Sequence, residues 1–124
     1  MAVINGSITG VSLLRAKDDL KTYLVTVDFA AYTGASDTAT VNGLGAAIKA
    51  KNRNGKTHTL KAVECIGAGR DTNAQAVFFT GTAAWAATIS SDDATGHLAV
   101  VAGTEITSTT ASKGVELAVV VLES

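Results

Sequence analysis

One stretch of this chain, residues 22–29, alternates in polarity at nearly every position. Its apolar and aromatic positions on one face are Tyr23, Val25, Val27 and Phe29. Successive side chains of a β-strand point to opposite faces, so this period predicts a strand with one buried face. Residues 8–14 also have strand character and residues 16–19 have the composition of a turn, which predicts an antiparallel hairpin. A β-sheet is therefore the element around which the rest of the chain must pack.

Further strand-like segments recur along the rest of the chain. They are separated by clusters of Gly, Ser, Asp and Asn, and they span residues 57–66, 74–79, 85–89, 97–102, 105–109 and 115–122. This rhythm predicts one mainly β domain over residues 1–124, built as an antiparallel β-sandwich or barrel. The final segment becomes apolar on both faces, which is typical of a strand covered on each side by layers or subunits. The interface residues expected in it are Val119, Val120, Val121 and Leu122.

The period of the pattern changes between about residues 37 and 53. Val41, Leu44 and Ile48 recur at helical spacing, and Asp37 is a suitable N-cap. These features predict one short α-helix over residues 37–53. The basic residues near its end, where the helix dipole favours cations, are Lys49, Lys51 and Arg53. A solvated face explains them most simply, and docking against an acidic partner surface is the second interpretation.

The composition is rich in apolar residues for a chain of this size. Of the 124 residues, 47% are hydrophobic and 17% are charged, and the mean hydropathy is +0.28. A small domain has a high ratio of surface to volume, so part of this apolar surface is expected to face a partner. The chain contains no proline, so its edge strands must be protected by charges, bulges, closure of the sheet or pairing with another chain.

Charge and hydropathy argue against two classes of partner. A net charge of −1 removes the electrostatic attraction that supplies most non-specific affinity for nucleic acid. The first residues do not have the pattern of a secretion signal, and no apolar run reaches the roughly 18 residues that span a bilayer. We therefore expect neither nucleic acid nor a membrane as a partner, and we expect synthesis in a cytosol.

No group of residues has the spacing of a catalytic, cofactor or metal site. His58 and His97 lie in different predicted strands, without Cys, His or carboxylate neighbours at ligand spacing. Cys65 would need a base to act as a nucleophile, and simple alternation places His58 on the opposite face of the strand. Residues 67–71 and 92–93 have the composition of turns rather than of a phosphate or calcium loop. The sequence thus predicts a protein that is not an enzyme and that binds no cofactor or metal.

Trp85 is the single tryptophan and lies in an alanine-rich segment. Its ring can fill the space that small neighbours leave, and the core is the favoured location. Contact with another subunit is the second interpretation, which makes Trp85 a candidate interface residue. An alternative of a different class is a small ligand-binding barrel with Trp85, Phe78 and Tyr23 near a cavity.

The order of elements resembles that of head decoration proteins, also called cement proteins, of tailed bacteriophages. One part of the resemblance is the strand at residues 22–29, followed by the segment VNGLGAAIKA at 41–50, which leads into NGKT at 54–57. The other part is the low aromatic content and the strands rich in Gly, Ala and Thr. The resemblance covers most of the chain.

This resemblance implies a non-enzymatic virion protein that is made in the cytoplasm of the host bacterium and located on the capsid surface. Such a module is β-rich and often trimeric, and it clamps the major capsid protein where subunits meet after the shell expands. No catalytic residue is carried over from it. Other virion modules, such as tail-tube, head-completion or fibre-associated proteins, share this composition and form the alternative.

Overall fold

The computed structural model describes residues 3–30, 38–51, 56, 58–67, 69–70, 76–83, 94–100 and 112–123. In chain order the elements are β1 (Val3–Lys17), β2 (Leu20–Phe29), β3 (Thr38–Val41), α1 (Leu44–Lys51), β4 (His58–Gly67), β5 (Gly69–Arg70), β6 (Ala76–Ala83), β7 (Ala94–Val100) and β8 (Ser112–Glu123). The predicted class, mainly β with one short helix, is confirmed.

The described strands form one curled sheet. Hydrogen-bonded neighbours follow the order β2-β1-β3-β7-β6-β5-β8-β4, and β2 also pairs with β8. This additional pairing curves the sheet into a half-barrel in which β8 lies between β2 and β4. The pairings are antiparallel except for β1 with β3, which run parallel. The architecture is consistent with the expected antiparallel barrel or sandwich.

A hairpin of β1 and β2 begins the described fold. Lys17 pairs with Leu20, so the turn consists of Asp18 and Asp19. Asp18 has a φ of 54°, a left-handed conformation that aspartate tolerates better than most residues. The predicted hairpin is confirmed, although β1 is longer than residues 8–14 and contains register shifts in its middle.

The core lies on one face of the sheet, called the inner face here. Alternate side chains from Tyr23 to Phe29 in β2 and from Val115 to Val121 in β8 are at most 2% exposed. Val41 of β3 and Leu44 and Ile48 of α1 are fully buried with them. Burying a side chain of this size contributes about 1.5–3 kcal/mol of hydrophobic free energy. The helix therefore covers the inner face of the sheet.

The helix is shorter than the sequence predicts. It begins at Leu44, and residues 38–41 of the predicted helix form β3 instead. Gly43 separates the two elements with a φ of 74°, and the β-branched residues of β3 favour an extended backbone. Val41 points at the core from a strand, so the apolar stripe of the predicted helix is still buried. The proposed N-cap Asp37 lies outside the described residues.

The other predicted strands fall into two groups. Those at residues 57–66, 74–79, 97–102 and 115–122 correspond to β4, β6, β7 and β8, with ends displaced by a few residues. Those at 85–89 and 105–109 lie outside the described residues, as does the turn predicted at 92–93.

The turn predicted at residues 67–71 is wrong in its first part. Gly67 ends β4 and β5 follows, while the remainder of the segment lies outside the described residues. A Cβ atom at Gly69 would lie 2.6 Å from the carbonyl oxygen of Lys113 and 2.7 Å from a methyl carbon of Val115. Glycine is needed here because β5 approaches the backbone of β8 closely.

Candidate functional site

The side chains of β8 alternate between the core and the opposite face of the sheet, called the outer face here. Val119 and Val121 are fully buried in the core, whereas Val120 and Leu122 are half-buried on the outer face. The sequence predicts all four as interface residues, and this prediction is wrong for Val119 and Val121, which lie in the core. Val120 and Leu122 are the members of this group that a partner can reach.

An apolar surface, called the outer patch here, surrounds Val120 and Leu122. It consists of cross-strand pairs of β2 and β8, which are Leu20 with Leu122, Thr22 with Val120, and Leu24 with Ala118. Leu20 is 44% exposed. The residues that line a half-open groove of about 230 Å³ at one end are Arg15, Lys17, Leu20, Thr22 and Val120. Contiguous apolar surface of this kind is typical of an interaction site.

Opposite charges border the outer patch at its two ends. Arg15 and Lys17 of β1 lie beside Leu20 in the groove. Glu116 of β8 lies towards the other end, since it pairs with Thr26 beyond Leu24. Glu64 of β4 pairs with Ala118 and lies at the side of the patch, level with Leu24. The outer patch therefore has a basic border and an acidic border.

The basic end of the helix lies away from the outer patch. Lys49 and Lys51 are exposed in the last turn of α1. Because α1 covers the inner face, these lysines and the outer patch lie on different sides of the sheet. The two groups of expected interface residues therefore do not form one surface. Arg53 and Trp85 lie outside the described residues.

Four polar side chains meet where β8 ends between β2 and β4, and we call them the Glu123 cluster. Glu123 is 0% exposed, and Lys21 donates a hydrogen bond to its Oε2 atom. Tyr23 donates its hydroxyl to Oε1 at 3.4 Å, and Nε2 of His58 lies 3.2 Å from the same oxygen. A buried charge is costly unless it is paired, and Lys21 supplies the opposite charge.

Lys21 and His58 hold this carboxylate to different degrees. The hydrogen bond with Glu123 raises the pKa of Lys21 above its ordinary value, against a smaller opposing effect of burial. His58 is 3% exposed, and neither of its ring nitrogens makes a hydrogen bond within the described residues. Its Nε2 atom is near Glu123 but is not aligned for a hydrogen bond. Lys21 is therefore the main partner of Glu123.

The Glu123 cluster fastens the end of β8 to the neighbouring elements. The backbone N–H of Glu123 donates to the carbonyl of Asp19 in the β1–β2 turn at 2.7 Å, and its side chain reaches β2 and β4. A substrate in solvent does not reach Glu123 or His58, because both are almost completely buried. The geometry therefore favours a structural role for this cluster over a catalytic one.

The positions of Glu123 and Lys21 in their strands indicate the Glu123 cluster, but only once the pairing of β2 with β8 is known. Glu123 continues the odd-numbered series of β8 whose other members point into the core. Lys21 and Tyr23 occupy the same series in β2, which pairs with β8. A carboxylate at the end of one inward series and a lysine at the end of another indicate a buried ion pair once the two strands are known to be neighbours.

Cys65 lies on the inner face, on the same side of β4 as His58. Alternation predicts the opposite face, and this is wrong because a bulge between Leu60 and Ala62 shifts the register by one residue. Cys65 packs against the core and donates its thiol to the carbonyl of Gly67 at 3.6 Å. The strand still separates it from His58 by roughly 20 Å, so the two do not form a nucleophile and base.

Within the described residues, no group of three or more His, Cys, Asp or Glu side chains could hold a metal ion. The side chain of His97 lies outside the described part of the chain. No helix among those described combines the length and the apolar character needed to cross a membrane. No protein-family model, no curated protein and no solved structure matches this chain.

Proposed function

We propose that this protein is a virion structural protein, a cement protein that binds and stabilises the head shell of a tailed bacteriophage. The outer patch carries the proposal, because it leaves an apolar sheet surface exposed on a well-packed core. Burying such a surface contributes about 25 cal/mol per Å² of apolar area. A ligand that binds only the assembled shell stabilises that shell by mass action, and many copies strengthen each other's binding.

The proposal defines partners and location. The partners are the major capsid protein and further copies of this chain, with a trimer as the arrangement that the resemblance implies. Nucleic acid and membranes are not partners, and the protein catalyses no reaction and needs no cofactor. It is made in the cytoplasm of the host bacterium and then occupies the capsid surface.

Two alternatives stand beside this proposal. A tail-tube, head-completion or fibre-associated protein would use the same exposed sheet surface in a different part of the virion. A small ligand-binding barrel would need Tyr23 to face a cavity with Trp85 and Phe78. Tyr23 is 1% exposed and its hydroxyl donates to Glu123, which favours the virion proteins over this alternative.

The test is binding to expanded heads assembled from the major capsid protein of the same phage. Purified protein is mixed with heads, the heads are sedimented, and both the bound copies and the thermal transition of the shell are measured. The wild-type chain should co-sediment and raise the transition temperature. Val120→Asp places a charge on the outer patch and should bind at least about tenfold more weakly.

The matched control is Lys49→Glu, which changes a charge on the exposed end of α1 and should bind like the wild type. Circular dichroism checks that both variants are folded. A wild-type chain that neither binds expanded heads nor changes their stability would refute the cement proposal. Imaging that located the copies on the tail would support the other virion modules instead.

A further inference from the structure

The outer patch and its charged borders form a surface that can support a weak contact between two proteins. The strands β1, β2, β8 and β4 lie side by side beneath it, with neighbours about 4.8 Å apart and about 3.3 Å between residues. Over about eight residues of each strand, the planar footprint is roughly 500 Å². This footprint is smaller than the roughly 800 Å² per partner of a standard interface, so we expect a weak contact that depends on concentration.

Arg15 and Glu116 occupy equivalent positions about Leu24, near the centre of the outer patch. Arg15 lies one strand away on β1 and two residues towards the turn, since it pairs with Thr22. Glu116 lies one strand away on the other side and two residues in the other direction, since it pairs with Thr26. One strand spacing is about 4.8 Å and two residues span about 6.6 Å, so the two offsets are similar in size.

We propose that two copies of this chain pack their outer patches face to face about a two-fold axis. The axis lies in the interface plane, diagonal to the strands, so that the strands of the two copies cross at nearly right angles. This rotation places Arg15 of each copy over Glu116 of the other. Near-orthogonal crossing is one of the two usual ways in which sheets pack, and a two-fold interface requires this self-complementarity.

A second copy fits this surface better than a partner of uniform charge. The basic border would repel a cationic partner, and Glu64 and Glu116 would repel an anionic one. Arg70 and Lys113, which pair with each other, lie further from the centre along β8. A two-fold contact gives an even number of copies and so departs from the trimer implied by the resemblance. The dimer uses the same outer patch that the cement proposal assigns to the capsid, so it is the form in solution, and a copy leaves it before binding the shell.

The experiment measures the mass of the purified full chain by light scattering and sedimentation over a range of concentrations. The wild type should change from monomer to dimer, and Val120→Asp should remain monomeric. Arg15→Glu alone and Glu116→Arg alone should each weaken the dimer by about tenfold, because two like-charge contacts replace two attractive ones. The double variant Arg15→Glu with Glu116→Arg should recover the wild-type affinity to within about threefold.

Lys49→Glu is the control, because it changes one charge away from the outer patch and should dimerise like the wild type. A chain that stays monomeric at every concentration, or that forms a trimer, would overturn the inference. So would a double variant no stronger than the single ones. Should Val120→Asp fail to fold, the Arg15 and Glu116 variants decide the question alone. A monomer that still binds phage heads would refute self-association and leave the cement proposal standing.

Discussion

Replacing Glu123 with glutamine is expected to lower the free energy of unfolding by about 2–3 kcal/mol. The side chain keeps its shape and loses the charge that attracts Lys21. A hydrogen bond to a charged group contributes about 1.5–3 kcal/mol, and breaking a fully buried pair costs about 3–5 kcal/mol. The expected loss of unfolding free energy stays below the cost of breaking a fully buried pair, because the side chain of Lys21 is 19% exposed and its ammonium group can turn towards water.

The measurement is urea unfolding followed by circular dichroism, at a concentration where wild type and variant have the same mass. For a chain of this length, the loss corresponds to a melting temperature lower by about 10 °C. Glu116→Gln makes the same change on the outer face of the same strand, and it should shift the free energy by less than about 0.5 kcal/mol. Equal effects at the two positions, or a loss below about 1 kcal/mol at Glu123, would show that the Glu123 cluster does not fasten β8.

Lys21, Gly69 and Ile48 provide further tests. The folded-state pKa of Lys21 is raised from 10.5, so its interaction is fully present below that pH and is lost as the pH rises through the folded pKa. The Lys21→Arg variant stays charged, so its melting temperature should fall less than that of the wild type between roughly pH 9 and roughly pH 12. An equal fall in the two proteins would contradict the pairing of Lys21 with Glu123. Gly69→Ala should lower the free energy of unfolding in urea by about 2 kcal/mol. Gly10→Ala is the control and should cost much less, because the nearest atom to its Cβ would be Oγ1 of Thr26 at 4.0 Å. Equal losses for the two variants would disprove the close approach of β5 to β8. Ile48→Ala should cost about 3 kcal/mol, against less than about 0.5 kcal/mol for Lys49→Ala; a neutral Ile48→Ala would mean that α1 does not cover the core.

Much of the sheet could be predicted because its signal is local. The alternation of residues 22–29 identified every core residue that β2 supplies. In β8 the apolar residues on both faces left the inward face undecided, so Val119 and Val121 were expected at an interface. The helix was predictable in kind but not in length. Val41 fits a helical stripe and also a strand, and its pairing beside β1 and β7 decided between them.

The candidate sites were less predictable, because both depend on which strands are neighbours. The outer patch requires β2 and β8 to pair, and no local sequence pattern predicts that pairing. The bulge between Leu60 and Ala62, which places Cys65 on the inner face, is also not predicted by a local pattern. One extra residue in a strand reverses every later side chain, so a prediction from alternation is lost at the first bulge.

The sequence by itself determined which side chains of β2 share a face and how much apolar surface the chain carries, since both follow from backbone period and composition. The tertiary structure alone decided what each face meets. It joined Tyr23 to Glu123 across 100 positions of sequence, buried Val119 and Val121, and left Val120 and Leu122 towards solvent. The physical reason is that alternation is a property of one strand, whereas burial and charge pairing depend on neighbours that distant parts of the chain supply.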